Sequence, residues 1–194
     1  MFTVLYSDRH LVILDKPSGL PVIPGRQGGP SIAGESGLLV CHRLDTETSG
    51  VLVLARSAAG HRLVNAAFAE GRVEKTYRAV VDQPLPDAVD VDLAIGEWRR
   101  GRVRVGDGKP AWTGFSVVWR DGARVGVEAR PRTGRTHQIR AHLAALAAPI
   151  VGDEDYGGTP ADRIYLHAAR IVLPWPQADS RLVVEAPLPP GFAP

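Results

Sequence analysis

What most constrains the fold is how turn residues cut the chain into short apolar runs. "TVLY" (3–6) and "HLVILDK" (10–16) have strand length. They are followed by "PSGLPVIPG" (17–25), where Pro and Gly impose a fixed turn. "LLVCHRL" (38–44) and "VLVLAR" (51–56) predict two more strands, and "ARIVLPW" (169–175) and "RLVVEAP" (181–187) two late ones. "VEKTYRAVV" (73–81) alternates with period two, placing Val73, Lys75, Tyr77, Ala79 and Val81 on one face. "GFSVVWR" (114–120) and "ARVGVEARP" (123–131) predict a hairpin around Asp121-Gly122. Helical spacing occurs twice. In "AAGHRLVNAAFAE" (58–70), capped by Ser57 and ended by Gly71, Leu63, Val64, Ala67 and Phe68 share a face. In "THQIRAHLAALA" (136–147), Ile139, Leu143 and Leu146 point inward, with Pro149 just beyond. Strands outnumber helices and several turns are short. The expected class is therefore α+β with a mainly antiparallel sheet, not an alternating doubly wound fold.

At 194 residues, 44% of them hydrophobic, the chain suits one domain spanning 1–194 with a real core. Its single cysteine, Cys41, excludes an intramolecular disulfide and fits a reducing compartment. No apolar run approaches the roughly 18 residues that span a bilayer. The start "MFTVLYSDRH" lacks the basic-then-apolar pattern of a secretory signal. A soluble cytoplasmic protein is expected, with only the Pro-rich end "APLPPGFAP" reading as disordered.

The net charge of +2 is uninformative, but its distribution is not. From Glu97 to His142 there are eleven Lys and Arg against four Asp and Glu, and 20 of the 23 basic residues are Arg. A planar guanidinium grips phosphates and stacks on bases, so such a patch suits nucleic acid. An ordinary solvated face would carry the same charges.

No Walker loop, G-x-G-x-x-G or G-x-S-x-G is present. The six scattered His and one Cys do not make a zinc pattern. No cofactor and no metal are expected. Three stretches carry chemistry instead. "CHRLDTETSGVLVLARS" (41–57) sets Asp45 beside Arg43 and His42 at the edge of an apolar run. A carboxylate there is disfavoured unless it is paired or used, so Asp45 is a structural cap or a working acid. "RPRTGRTHQIRAHL" (130–143) crowds Arg130, Arg132, Arg135, His137 and Arg140 around a predicted helix start. That point could hold a phosphate, pair with a buried carboxylate, or be a capped surface helix. "EKTYRAVV" (74–81) puts Tyr77 between bases, which by itself describes a tyrosine at the edge of a core.

Together, "HRLDTETSG", "EKTYRAVV" and "RTGRTHQIRAHL", in this order and spacing, resemble the RluA-type RNA pseudouridine synthases. The resemblance extends to "LYSDRHLVILDKPSGLPVIPGR" at the start and to "PIVGDEDYGG", "IYLHAARIVLP" and "VVEAPLPPGF" toward the end. It is to the compact members, without an extra N-terminal RNA-binding domain. The resemblance implies a single catalytic domain around a long mixed, mostly antiparallel sheet with a cleft across it. It also implies a monomer that isomerises uridines in rRNA or tRNA without a cofactor. Carried over by position, the catalytic Asp falls on Asp45, the active-site Tyr on Tyr77 and the active-site Arg on Arg135. Arg43 matches a basic residue placed near the gap left by a flipped base. His42, Lys75, Arg132, His137, Gln138 and Arg140 are further expected RNA contacts, and Arg99, Arg100, Arg102 and Arg104 are expected to bind phosphates. The resemblance further leads to an Asp45 carboxylate paired with Arg135. A non-catalytic RNA-binding protein would lack one of the three site residues. A nucleoside hydrolase would want a second carboxylate as general acid.

Overall fold

The computed structural model describes residues 2–25, 28–99, 101–176, 178 and 180–194. The chain forms two compact units, one of residues 1–75 and 168–187, the other of residues 76–167 and 188–194.

In the first unit, β1 (Thr3–Ser7) and β2 (Leu11–Lys16) form an antiparallel pair. A short helix α1 (Ile32–Ser36) follows, with the Ser31 hydroxyl capping Gly34 N–H. Next come a two-residue strand β3 (Leu39–Val40), a fully buried strand β4 (Ser49–Ala55) and helix α2 (Ala58–Ala69). As expected, α2 is capped by Ser57, whose hydroxyl accepts from Gly60 N–H. Val64 and Ala67 of α2 face the core, but Leu63 is exposed, so the buried stripe is narrower than the spacing predicts. β2 and β3 both pair antiparallel with β4. The core packs Leu11 and Ile13 of β2, Val51 and Val53 of β4, and Trp175, whose indole N–H donates to Asp8 Oδ2 at 2.7 Å.

β5 (Glu74–Val81) leads into the second unit. There β6 (Ala88–Asp92), a separate hairpin of β7 (Ile95–Arg99) and β8 (Arg102–Val105), β9 (Trp112–Asp121) and β10 (Arg124–Pro131) follow. The sheet order is β5-β10-β9-β6, and these registers are antiparallel. The β9–β10 hairpin closes one residue later than expected, with Asp121 opposite Arg124. Helix α3 (Gln138–Ala145) and a 3-10 turn (Glu154–Tyr156) come next. β11 (Leu166–Leu173) returns the chain to the first unit, where β12 (Leu182–Glu185) pairs with it antiparallel. The second core gathers Ala79, Val81, Phe115, Val127, Ile139 and Leu143.

Candidate active site

Asp45 lies on the loop between β3 and β4. The strand expected over 38–44 stops at Val40 because a side chain takes over the ladder. Its last rung pairs Val40 with Leu54, and the Val53 N–H then donates to His42 Nε2 at 3.0 Å. An imidazole lone pair thus stands where a carbonyl would continue the sheet, and the chain peels away toward Asp45. His42 must be neutral to accept that bond. Burial and the neighbouring Lys75 ammonium push its pKa down to about 4, and burial pushes Lys75 down to about 8. The imidazole also lies 5.0 Å from the Phe68 ring.

The rest of the loop is held from below. Leu44 is buried, Arg43 is exposed and Asp45 is half-buried. Thr48 N–H donates to Asp45 O at 3.1 Å, closing a turn around Thr46 and Glu47. Lys16, at the end of β2, is completely buried. Its Nζ donates to Pro17 O at 2.8 Å, Leu20 O at 2.7 Å and Thr46 O at 2.8 Å. An ammonium has three donors and no acceptor, and three carbonyls meet it here. Gly19 N–H donates to Thr46 O at 3.0 Å and the Ser18 hydroxyl to Glu47 O at 2.7 Å. The segment "DKPSG" is therefore a clamp on the Asp45 loop. Gly50, just after it, has φ +106, and a Cβ there would lie 2.3 Å from Ala168 O. Only glycine lets the chain enter β4 at this point.

In the second unit, Tyr77 is half-buried on β5 opposite Ala129 of β10, its ring against the core. The turn carrying Arg135 is organised by Gln138. Gln138 Oε1 accepts from Arg135 N–H at 3.0 Å and from the Thr133 hydroxyl at 2.7 Å. Its Nε2 donates to Trp112 O at 3.0 Å and to Thr113 Oγ1 at 3.0 Å. The backbone partners fix which end is oxygen and which is nitrogen, so all four bonds of the amide are used. The network continues inward. His142 Nε2 donates to Leu93 O at 3.0 Å, leaving Nδ1 to accept from the Thr113 hydroxyl at 3.0 Å. Desolvation lowers the His142 pKa, in keeping with a neutral ring.

Several expected RNA contacts turn out to be internal. Gln138 and Arg140 are buried, although both were expected at an RNA surface. Arg140 makes a bidentate pair with buried Asp153, Nε to Oδ2 and Nη2 to Oδ1, both at 2.7 Å. α3 begins two residues later than expected because His137 adopts a left-handed φ of +52. The His137 ring is half-buried and lies 3.2 Å from the Tyr156 hydroxyl through Nδ1. Exposed positions are Arg43, Arg130 and Arg132, the last stacked 3.8 Å over the Trp112 ring. Arg135 is half-buried, its Nε donating to Pro110 O at 3.1 Å. Arg99, Arg102 and Arg104 are exposed on the β7–β8 hairpin, while Arg100 lies outside the described residues. Lys16 was not singled out from the sequence. One signal for it exists: it continues the Val12, Leu14 stripe of β2, so an inward ammonium follows from the alternation.

A family model described as RNA pseudouridylate synthase matches residues 10–145. An RNA pseudouridine synthase of Zymomonas mobilis is 36% identical, the match covering 97% of this chain and 94% of that one. Ribosomal large subunit pseudouridine synthase D of Xanthomonas campestris is 38% identical over 80% of this chain, but the match covers only 51% of that protein. Ribosomal large subunit pseudouridine synthase C of Escherichia coli is 34% identical over 97% of this chain and 67% of its own length. Among solved structures, human RNA pseudouridylate synthase domain containing 4 superposes with a TM-score of 0.81 at 28% identity. That match covers 98% of this chain and 90% of the human one. The chain belongs to the RNA pseudouridylate synthase family, with the α+β fold expected from its sequence. Its activity is that of an isomerase forming pseudouridine in RNA.

Proposed function

We propose that the chain converts particular uridines of large-subunit ribosomal RNA to pseudouridine, using Asp45 as the reacting carboxylate and Tyr77 and Arg135 as the other catalytic residues. The C1′–N1 bond breaks, the base turns, and C1′ joins C5. The proton lost from C5 is balanced by one gained at N1, so no cosubstrate enters. An ionised Asp45 begins either route open to it, attack at C1′ or removal of the C2′ proton. Tyr77 offers the base a stacking face, and its hydroxyl is suited to accept the C5 proton. Extruding the uridine from its stack costs a few kcal/mol. Exposed Arg43, two residues before the acid, is suited to fill the gap.

The observation that carries this reading is the clamping of the Asp45 loop. Lys16, Ser18 and Gly19 hold the two residues after Asp45, and His42 holds the strand edge before it. Positioning catalysis requires such a fixed acid, and a solvated surface loop would not need it. A cytoplasmic monomer belongs to the same reading. Among the described residues, no helix is long and apolar enough to cross a membrane.

A pseudouridine map of ribosomal and transfer RNA, with and without the gene, tests the substrate. Loss of a signal in large-subunit rRNA, restored by wild type, is expected. Loss only in tRNA would move the substrate, and an unchanged map would reject the assignment.

A further inference from the structure

The segment "PIVGDEDYGG" has no part in the chemistry above, yet its acids and tyrosine meet both α3 and the β7–β8 hairpin. In that hairpin, Arg99 sits opposite Arg102 and Trp98 opposite Val103. Directly opposed residues share a face, and alternate residues change face. Arg99, Arg102 and Arg104 therefore project from one face, and all three are exposed. Val103 points the other way and is buried with Ala141 of α3 and Tyr156. Its N–H donates to the Tyr156 hydroxyl at 2.8 Å. The same hydroxyl lies 3.2 Å from His137 Nδ1, and Arg140 Nη1 meets the other ring nitrogen, Nε2, at 3.0 Å. Arg140 lies 5.1 Å over the Tyr156 ring and bonds Asp155 Oδ2 at 3.2 Å. At the hairpin end, a Cβ on Gly101 would come within 3.2 Å of Asp155 Oδ1. The 3-10 turn thus meets the hairpin at two points, and Asp153, just before it, is tied to α3 by a buried ion pair with Arg140.

We propose that Tyr156 is a positioning residue that presents the Arg99, Arg102 and Arg104 face to the phosphates of the RNA substrate. This rests on the chain acting on RNA. A free two-stranded hairpin is marginally ordered in water. Anchored at its Val103 edge, the hairpin keeps the three arginines on one ordered face, where Arg99 also meets Glu97 at 3.3 Å, and this order reduces the ordering cost of binding. Tyr156 touches no reacting atom in this role.

The test uses the full chain and a fluorescently labelled rRNA stem-loop transcript. Tyr156→Phe removes the hydroxyl and keeps the ring. Exchange of the Val103 amide should quicken by about tenfold or more as its bond is lost. RNA affinity should fall by roughly tenfold, and the slope of log affinity against log salt should drop by about 0.7–0.9 for each phosphate no longer neutralised. In single-turnover assays, the half-saturating enzyme concentration should rise with the loss of affinity and the plateau rate should change far less. In an Arg99→Ala, Arg102→Ala, Arg104→Ala background, adding Tyr156→Phe should cost little more, because both changes disable one surface. Wild-type affinity and salt slope in Tyr156→Phe would overturn the proposal. Full additivity with the arginine changes, or unchanged Val103 exchange, would overturn it as well. Failure of wild type to form pseudouridine in any RNA would instead reject the enzymatic reading, since the exchange and binding measurements do not depend on turnover.

Discussion

Two loops, one in each unit, carry proposed catalytic residues, and each is built over one buried polar side chain. Under the Asp45 loop the support is Lys16; under the Arg135 turn it is Gln138. The supports differ because the loops present different groups. Thr46, Pro17 and Leu20 turn carbonyls inward, and an all-donor ammonium can gather them. The Arg135 turn presents an N–H and a hydroxyl, with a carbonyl and a second hydroxyl on β9 beneath it, and a neutral amide serves both kinds. The difference has an energetic consequence. Hydrogen bonds to a charged group are stronger than neutral ones, and removing a buried partner costs more than the bond contributes.

The two supports should therefore not prove interchangeable. Lys16→Met leaves three inward carbonyls without the ammonium. It should destabilise the chain by roughly 3 kcal/mol or more, offset only in part by no longer burying a charge. Pseudouridine formation by the remaining folded protein should also fall sharply. Urea unfolding and single-turnover assays check both, and a loss below about 1 kcal/mol would mean the clamp is not needed. Gln138→Leu removes four neutral bonds. A smaller loss of about 2 kcal/mol is expected, with greater mobility of the Arg135 amide in hydrogen exchange. If it costs more than Lys16→Met, charge is not what separates the loops.

A smaller effect concerns protons. The His42 pKa is held at about 4, below its ordinary 6.5, so the unfolded chain takes up the proton first. Its contribution to stability is complete above about pH 6.5 and is lost as pH falls toward 4. His142 contributes in the same direction. Lys75→Met removes a repelling charge and should raise the His42 pKa, read from its imidazole NMR signals. An unchanged titration would mean that the Lys75 charge does not act on His42.

Much of this was legible in the sequence, and the reasons for the misses are physical. The Ser57 cap and the Val64 and Ala67 part of the α2 stripe were visible because a cap and a helical stripe are local patterns, whereas Leu63 of the same predicted face is exposed. Asp45, Tyr77 and Arg135 are motif positions, and their proposed roles rest on the resemblance. The inward turn of Arg140 depends on Asp153, thirteen residues away beyond the helix, and that of Gln138 on Trp112, 26 residues upstream. A row of basic and polar residues at a helix start therefore reads as a surface until its partners are known. The segment "GDEDYGG" held the hint, with three acids close after the arginines. The early end of β3 was hidden for a related reason: His42 supplies an acceptor from its side chain where a strand would use its backbone.

If the clamped Asp45 supplies the reacting carboxylate and other residues carry the RNA affinity, removing its charge should separate the two. Asp45→Asn keeps the shape and removes the charge. The direct measurement is single-turnover pseudouridine formation on an rRNA transcript at saturating enzyme, together with RNA affinity. No product above background and affinity within a few-fold of wild type are the predicted results. Turnover above a small percentage of wild type in Asp45→Asn would contradict the claim.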